Sequence, residues 1–295
     1  MQQIKSRQPH GAGLGLRRDM LDDLLALPVD QQPDFYEVAP ENWLGFGGRH
    51  ARQLCAFSER VPLVCHGLSL SIGGPHPLNT DFLRQIRQFL DQHQVAVYSE
   101  HLSYTGDHGY LYDLLPIPMT DAAVRYVAER VMRAQDILGR RLVLENVSTY
   151  AMPSAEMSEA DFVRAVVERA DCELLLDINN VYVNSVNHGS DARGMISAMP
   201  TERIRYLHMA GHYIESDGVD SAALLIDTHG ADVNDAVWDL LEVCYQQHGV
   251  KPTLLERDFN LPPLTELLQE VAQIEQMQAK YGQMQQRSIA EQCHG

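Results

Sequence analysis

Short apolar runs recur along the chain, each followed by polar or glycine-rich residues and then by a helical pattern. Several runs are continuous rather than alternating, as in Leu142–Glu145 (LVLE) and Leu174–Asp177 (LLLD). Such runs are typical of strands that are buried on both faces of a parallel sheet. The eight predicted strands are Gly13–Arg17, Asp34–Ala39, Leu63–Gly67, Val95–His101, Arg141–Asn146, Glu173–Asn179, Ile204–His208 and Pro252–Arg257.

The segments between these runs carry the start and stop signals of helices. Four segments with apolar residues at helical spacing follow an Asn, Thr or Ser that can cap a helix, namely Asn79, Thr120, Ser158 and Asn234. Gly139 and Gly249 end two of these segments, as glycine often does. Strands and helices are therefore predicted to alternate along the whole chain.

Eight strand–helix units in strict alternation predict an α/β fold of the (β/α)₈ TIM barrel type, because each parallel crossover needs its helix. An open doubly wound sheet would carry a phosphate-binding loop after an early strand. Gly11, Gly13 and Gly15 lie there, but the next residues break the GxGxxG spacing. We predict one barrel domain over residues 1–281 and a flexible C-terminal tail over 282–295.

Composition narrows the function classes. With 40 acidic and 23 basic side chains in 295 residues, the net charge of −17 disfavours binding to nucleic acid. We expect neither a signal peptide nor a membrane span, since no sufficiently long apolar stretch occurs. The five cysteines form no CxxC pair, which indicates a reduced, cytoplasmic chain and argues against a zinc–thiolate site.

Candidate chemistry lies where the predicted strands end, because barrel enzymes build their sites from these ends and the loops that follow. Every run from the third onward is followed by imidazole, carboxylate or amide side chains. They are His66, Glu100, His101, Glu145, Asn146, Asp177, Asn179, Asn180, His208, His212, Asp227, His229, Glu256, Arg257 and Asp258.

Burying this many ionisable groups together is unfavourable unless cations lie between them. Histidine and carboxylate donors without cysteine suit iron, manganese or zinc better than calcium or magnesium. The donors exceed what one ion needs, so we predict a centre of two or three metal ions.

The alternation of side chains along a strand means that some of these residues cannot point into the barrel. Glu100 and His101 are adjacent, as are Glu145 and Asn146, so one member of each pair should point away from the barrel interior. Glu37 and Glu41, near the end of the second run, are candidates for contact with the ligands or the substrate.

Eight linked motifs resemble one known family, the multinuclear non-haem iron-dependent oxidative enzymes, to which the methanobactin biosynthesis iron enzyme belongs. The resemblance spans about residues 10 to 275. The motifs are FYEVAPENW, CHGLSLSIGG, SEHLSY, LENVSTY, DINNVYVNSVNHG, HMAGH, DTHG and LLERD.

This resemblance implies a barrel similar to xylose isomerase and endonuclease IV, with two or three iron ions (Fe²⁺/Fe³⁺). It implies that the enzyme uses O₂ to modify cysteine residues of a ribosomally synthesised precursor peptide, whose leader is presented by a separate partner protein. By motif, the metal ligands are His66, His101, Glu145, Asp177, Asn180, His208, Asp227, His229 and Glu256.

Within this set we assign catalytic roles to Glu145, Asp177 and His229. The residues expected to support the ligands or contact the substrate are Glu37, Glu41, Glu100, Asn146, Asn179, His212 and Arg257. The alternative is a zinc- or manganese-dependent hydrolase or isomerase on the same barrel, such as an AP endonuclease-like or sugar isomerase-like enzyme. A sugar isomerase would want a lysine near its metals, and none of the three lysines (Lys5, Lys251, Lys280) ends a predicted strand.

Overall fold

A computed structural model describes residues 7–106, 109–151, 154–215 and 224–294, with side chains except those of 110, 112 and 288–294. Lys5 lies outside the described residues. The strands are β1 (Ala12–Gly15), β2 (Phe35–Val38), β3 (Leu63–Gly67), β4 (Val97–His101), β5 (Tyr104–Gly106), β6 (Tyr110–Leu115), β7 (Val143–Glu145), β8 (Glu173–Asp177), β9 (Ile204–Met209), β10 (Tyr213–Glu215), β11 (Leu224–Ile226) and β12 (Thr253–Leu255).

Eight of these strands close into a parallel barrel in the order β1-β12-β9-β8-β7-β4-β3-β2. Each corresponds to one of the eight predicted runs, so the predicted barrel is confirmed. The predicted and observed strand ends differ by at most two residues, and β3 matches at both ends. The difference that affects a candidate site residue is at β8. This strand ends at Asp177, so Asn179 lies in the following helix, whereas it was predicted to lie in the strand.

Helices cover the outside of the barrel. They are α1 (Leu21–Ala26), α2 (Gly48–Arg60), α3 (Thr80–Gln92), α4 (Asp121–Leu138), α5 (Glu159–Ala170), α6 (Ile178–His188), α7 (Ala192–Ser197), α8 (Asp235–His248) and α9 (Leu264–His294). All four predicted caps accept a hydrogen bond from a backbone N–H of the first helical turn. Gly139 adopts the left-handed conformation with φ 69°, as predicted for a helix stop.

Two apolar layers hold the barrel. The larger lies between the strands and the helices. The smaller fills the barrel interior and consists of Phe35, Val64, Val97, Val143, Leu175, Tyr206 and Leu254. At β1 the matching position is Gly13, where a Cβ atom would lie 2.5 Å from the ring of Phe35, so only glycine leaves room for that ring.

Two antiparallel hairpins, β5–β6 and β10–β11, interrupt the strand–helix alternation and were not predicted. They extend the chain after β4 and β9, at the end of the barrel where the candidate donors lie. Helix α9 continues through most of the predicted tail; the flexibility of 282–295 stays a prediction. Among the described residues, no helix has the length and apolarity to cross a membrane.

Candidate metal centre

The candidate site lies directly above the apolar layer inside the barrel. In seven strands, the residue two positions after the apolar one also points inward, because side chains alternate along a strand. Each of these seven residues is polar and buried. They are Glu37, His66, Ser99, Glu145, Asp177, His208 and Glu256.

The first group of converging donors comprises His66, His101 and Glu145. Oε2 of Glu145 lies 2.9 Å from Nε2 of His66 and 3.3 Å from Nε2 of His101. The two imidazole nitrogens are 3.1 Å apart. Three ligand atoms from neighbouring strands thus surround one point.

Two further groups continue from the first, one sharing Glu145 with it and the next sharing Asp177 with the second. One contains Glu145, Asp177 and His208, and the other contains Asp177, His229 and Glu256. Nδ1 of His208 lies 3.8 Å from Glu145 Oε1, 3.8 Å from Asp177 Oδ2 and 3.0 Å from Glu256 Oε2. A carboxylate that belongs to two groups can bridge two ions.

Many of these buried atoms lack a hydrogen-bond partner among the described residues, although they lie close to one another. They are Glu145 Oε2, Asp177 Oδ2, Asn180 Oδ1, His208 Nδ1, His229 Nε2 and Glu256 Oε2. Buried polar atoms are nearly always paired in native proteins. Donor atoms whose lone pairs point at a common cation would lie close together in this way without forming hydrogen bonds. The donor set therefore fits metal ions.

The charges of the site are strongly coupled. Burial raises the pKa of Glu145, but the facing His66 and His101 imidazoles outweigh it and lower that pKa to about 2. Burial lowers the pKa of His66, but Glu145 outweighs it and raises that pKa to about 9. Burial, together with the charge of His66, lowers the pKa of His101 to about 4.

At Asp177, unlike at Glu145, burial and nearby negative charges raise the pKa of the carboxyl group more than the histidines lower it. Burial, followed by the nearby charges of Glu145 and Asp227, raises its pKa well above the usual carboxyl value. An ionised Asp177 is therefore unfavourable unless a cation neutralises it. The electrostatics of Asp177 therefore support metal binding, as the unpaired donor atoms do.

Asn146 and Asn180 support the donors from the next layer. The amide of Asn146 accepts from the Asp177 backbone N–H at 2.9 Å and donates to the Asp177 carbonyl at 3.0 Å. Asn180 donates to the carbonyl of Asn146, which leaves its Oδ1 without a partner in the described part of the chain and available as a ligand.

A second chain of hydrogen bonds leads away from Asp227. Asn179 donates to Asp227 Oδ1 at 2.8 Å, and its Oδ1 lies 2.7 Å from Nδ1 of His212. Nδ2 of Asn234 lies 2.9 Å from Nε2 of His212. Oδ1 of Asn234 accepts from the Val237 N–H, so its amide nitrogen is the donor to His212. Both ring nitrogens of His212 are thus used in hydrogen bonds, with the proton on Nδ1.

The other predicted supporting residues make hydrogen bonds or ion pairs with residues outside the donor groups. Glu100 occupies the opposite face of β4 from His101 and accepts from the Tyr98 hydroxyl and the Leu70 N–H. Glu41 accepts from two backbone N–H groups of the loop after β3. The guanidinium of Arg257 is buried and pairs with Asp232 and Glu270, the latter on α9.

A cavity of about 260 Å³ opens beside the donors, lined by Arg17, Glu37, Ala39, Asn42, His66, Leu68, Glu256 and Asp258. The guanidinium of Arg17 pairs with Asp258, and its Nη2 lies 3.6 Å from Oε1 of Glu256. Sequence reasoning did not single out Arg17, Ser99 or Tyr206. Ser99 and Tyr206 each lie two residues before a predicted histidine ligand, so strand alternation could have found them.

Comparison with known proteins identifies relatives. The family model described as "RiPP precursor modification enzyme MbnB/TglH/ChrH" matches residues 11–279. A UPF0276 protein of Acinetobacter baylyi is 65% identical over 269 residues, covering 91% of each chain. A UPF0276 protein of Pseudomonas aeruginosa PAO1 is 56% identical over 279 residues, covering 95% of this chain and 96% of its own. These matches confirm the resemblance that the motifs predicted.

Solved structures show the same fold at low identity. A xylose isomerase-like TIM barrel protein from Mycobacterium smegmatis in complex with magnesium aligns with a TM-score of 0.57 and 12% identity, covering 93% of this chain and 97% of its own. The IOLI protein with a binding zinc atom aligns with a TM-score of 0.57 and 12% identity, covering 92% and 99%. The likeness confirms the xylose isomerase-like barrel, and at this identity it shows the fold alone.

Proposed function

The chain belongs to the RiPP precursor modification enzyme family MbnB/TglH/ChrH, and on this premise we propose that it is a multinuclear non-haem iron enzyme. It uses O₂ to oxidise cysteine residues of a ribosomally synthesised precursor peptide. The family membership supports the peptide substrate, and the buried donors support the metal.

One observation carries the metal assignment: the donor groups overlap. Glu145 belongs to two groups, and Asp177 also belongs to two. Ions held in adjacent groups would share these carboxylates, so the proposed centre contains two or three ions rather than one. The proposed ligands are His66, His101, Glu145, Asp177, Asn180, His208, Asp227, His229 and Glu256.

Imidazole and carboxylate donors suit iron, manganese or zinc. We propose iron because the family resemblance implies it and because zinc does not change its oxidation state. Bound iron ions would supply the redox change and the Lewis acidity that an O₂-dependent oxidation of a thiol requires. The cavity beside His66 and Glu256 gives the substrate cysteine a route to this centre.

The surrounding residues bind and orient the peptide. Arg17 lies at the cavity wall, where its guanidinium pairs with Asp258 and can donate a further N–H to a backbone carbonyl of the peptide. We propose Glu145, Asp177 and His229 as the catalytic residues. The two carboxylates would hold the ions. Nδ1 of His229 lies 3.2 Å from Oδ2 of Asp258 and would carry a proton there, which leaves Nε2, 2.8 Å from Oδ1 of Asp227, as the ligand atom.

The reaction is proposed to need a partner protein that presents the leader of the precursor peptide. We also propose a cytoplasmic location. The four cysteines whose side chains the structure describes, Cys55, Cys65, Cys172 and Cys244, form no disulfide, as suits a reducing compartment.

The test starts from protein purified without oxygen and loaded with Fe(II). Metal content per chain is measured first, and then O₂ uptake with a cysteine-containing peptide encoded beside the gene, co-expressed or added with its partner protein. The matched control is the same peptide with serine in place of cysteine. We expect at least two iron ions per chain, and O₂ uptake together with a mass change only in the cysteine peptide.

Two results would contradict the proposal. One is full activity of a metal-free preparation. The other is full activity of the zinc-loaded protein without O₂ uptake, which would favour the second candidate, a zinc- or manganese-dependent hydrolase or isomerase. That candidate draws on the isomerase-like barrels that share the fold.

A further inference from the structure

Glu37 lies in the same inward-facing layer as the donors, on the inner face of β2, and is almost fully buried. Its Oε2 accepts a hydrogen bond from the hydroxyl of Tyr206 at 2.7 Å. The same oxygen lies 3.1 Å from Nε2 of His208. One carboxylate oxygen therefore faces a phenol and an imidazole at once.

The contacts of Tyr206 continue to the other donor group. Its hydroxyl lies 2.7 Å from Oγ of Ser99, and this Oγ lies 2.8 Å from Nδ1 of His66. Glu37 is thus connected directly to His208 and, through two hydroxyl groups, to His66. The two histidines belong to different donor groups.

The direction of each hydrogen bond towards His66 follows from counting protons. Tyr206 has one proton and gives it to Glu37, so its oxygen accepts from Ser99. Ser99 also has one proton, so its Oγ must accept from Nδ1 of His66. The same holds if Ser99 turns to its other acceptor, the carbonyl of Cys65 at 3.3 Å. With a metal ion bound, His66 would therefore be protonated on Nδ1 alone, which leaves its Nε2 lone pair on the side of Glu145 and His101.

The direction of the hydrogen bond at His208 follows in the same way. A carboxylate only accepts, so Nε2 of His208 carries the proton that points to Glu37. The lone pair is then on Nδ1, which has no hydrogen-bond partner in the described part of the chain and faces Asp177 and Glu256. The two histidines use opposite ring nitrogens towards the metals.

We propose that Glu37 is not a metal ligand but a positioning residue that sets the tautomers of His66 and His208 together, and so couples two metal positions. This inference rests on the metal centre of the proposed function. It has a competitor, because Glu37, His208 and Glu256 also lie close enough to hold an ion themselves. The test must separate a ligand from a hydrogen-bond acceptor.

Glu37→Gln and Glu37→Leu make this separation. The glutamine keeps an amide oxygen that can accept from Tyr206 and His208 but removes the charge that a ligand would supply. The leucine removes the acceptor altogether. We expect Glu37→Gln to keep the wild-type number of bound Zn(II) or Fe(II) ions, and Glu37→Leu to weaken binding about 10- to 100-fold. Equal loss in both variants would show that Glu37 is a ligand and overturn the proposal.

Ser99→Ala supplies an independent variant that removes the acceptor of His66 and leaves the direct contact between Glu37 and His208 in place. We expect it to weaken the binding of one ion and to leave the others at wild-type affinity. Unchanged binding of every ion would contradict the relay through Ser99. Circular dichroism and thermal unfolding of the metal-free variants identify any that fail to fold, and Glu37→Gln and Ser99→Ala change the packing least.

The tautomers themselves can be read by ¹⁵N NMR of histidine-labelled, Zn(II)-loaded protein, with assignment by single histidine substitutions. We expect the non-metal nitrogen to be protonated Nδ1 in His66 and protonated Nε2 in His208. The same protonated nitrogen in both rings would overturn the inference. This measurement needs no O₂ chemistry, so the tautomer assignment can fail or stand separately from the proposed oxidase activity.

Discussion

Asp177 Oδ1 accepts a hydrogen bond from the backbone N–H of Asn180 at 2.6 Å, and so caps the helix that begins at the next residue. Its other oxygen, Oδ2, has no hydrogen-bond partner among the described residues and faces the donor groups. One carboxylate thus performs two tasks. It ends β8 and starts α6, and it offers a ligand atom at the junction.

These two tasks can be separated by substitution. Asparagine caps a helix about as well as aspartate, whereas alanine does not. We expect Asp177→Asn to lose bound metal while its metal-free form is at least as stable as the wild type, because a buried carboxyl with a raised pKa is removed. Asp177→Ala should lose the metal and a further ~1 kcal/mol of unfolding free energy. Metal analysis and chemical denaturation measure both, and full metal content in Asp177→Asn would contradict the ligand role.

Glu145 should matter to more than one ion. It contributes to the group with His66 and His101 and to the group with Asp177 and His208, whereas His101 contributes to one group. We therefore expect Glu145→Gln to lower the metal content by more than one ion per chain and His101→Gln by one. Elemental analysis after anaerobic loading gives the numbers. Equal losses in the two variants would argue against a bridging carboxylate.

The barrel and most of the donors were predictable because both follow strand periodicity. A buried parallel strand is a continuous apolar run, and the polar residue at its end is visible in the sequence, as at His66 and His208. The hairpins were missed because their strands are only three to six residues long and lie inside the loops between the predicted strands and helices. The hydrogen bonds of Ser99 and Tyr206 could not be predicted, since they join residues that are distant along the chain.

His212 was predicted to support the ligands or to contact the substrate, and its hydrogen bonds favour the first role. Both ring nitrogens are occupied by Asn179 and Asn234. We expect His212→Leu to bind the same number of ions at saturation as the wild type, with weaker affinity because Asn179 no longer holds Asp227 firmly. The matched variant His208→Leu should bind fewer ions. A lower number at saturation in His212→Leu would make His212 a ligand.

Arg257 should contribute to stability rather than to metal binding. Its guanidinium is buried and donates to Glu270 Oε2 at 2.9 Å, which ties the end of β12 to helix α9. Arg257→Met leaves the carboxylate of Glu270 without its partner, and we expect a loss of about 3 kcal/mol of unfolding free energy. Adding Glu270→Gln removes the unpaired charge and should recover part of this loss. Metal content should stay at the wild-type value in both variants, and a drop would place Arg257 in the metal centre instead.

Glu159 should make the stability of the protein depend on pH. Burial raises its pKa to about 7, although the amide of Asn184 donates to its carboxylate at 2.9 Å. In the unfolded chain an ordinary glutamate ionises near pH 4.3. Between these values the folded state holds a proton that the unfolded state has lost, so this group's contribution to stability falls as the pH rises from about 4.5 to 7. Above that range both states are ionised and the loss is constant.

Replacing Glu159 with glutamine removes this loss and keeps the oxygen that accepts from Asn184. Relative to the wild type, Glu159→Gln should have nearly the same free energy of unfolding at pH 4.5 and about 2 kcal/mol more at pH 8. Each unit of pKa shift corresponds to ~1.4 kcal/mol, and the partial exposure of the side chain to solvent reduces the effect. Glu168→Gln is the control, because Glu168 is exposed on the same helix and should show no such trend. Denaturant titrations of metal-free protein across this pH range measure the difference. A gain that is the same at pH 4.5 and pH 8 would show that the carboxyl of Glu159 ionises in the folded protein at its ordinary pKa.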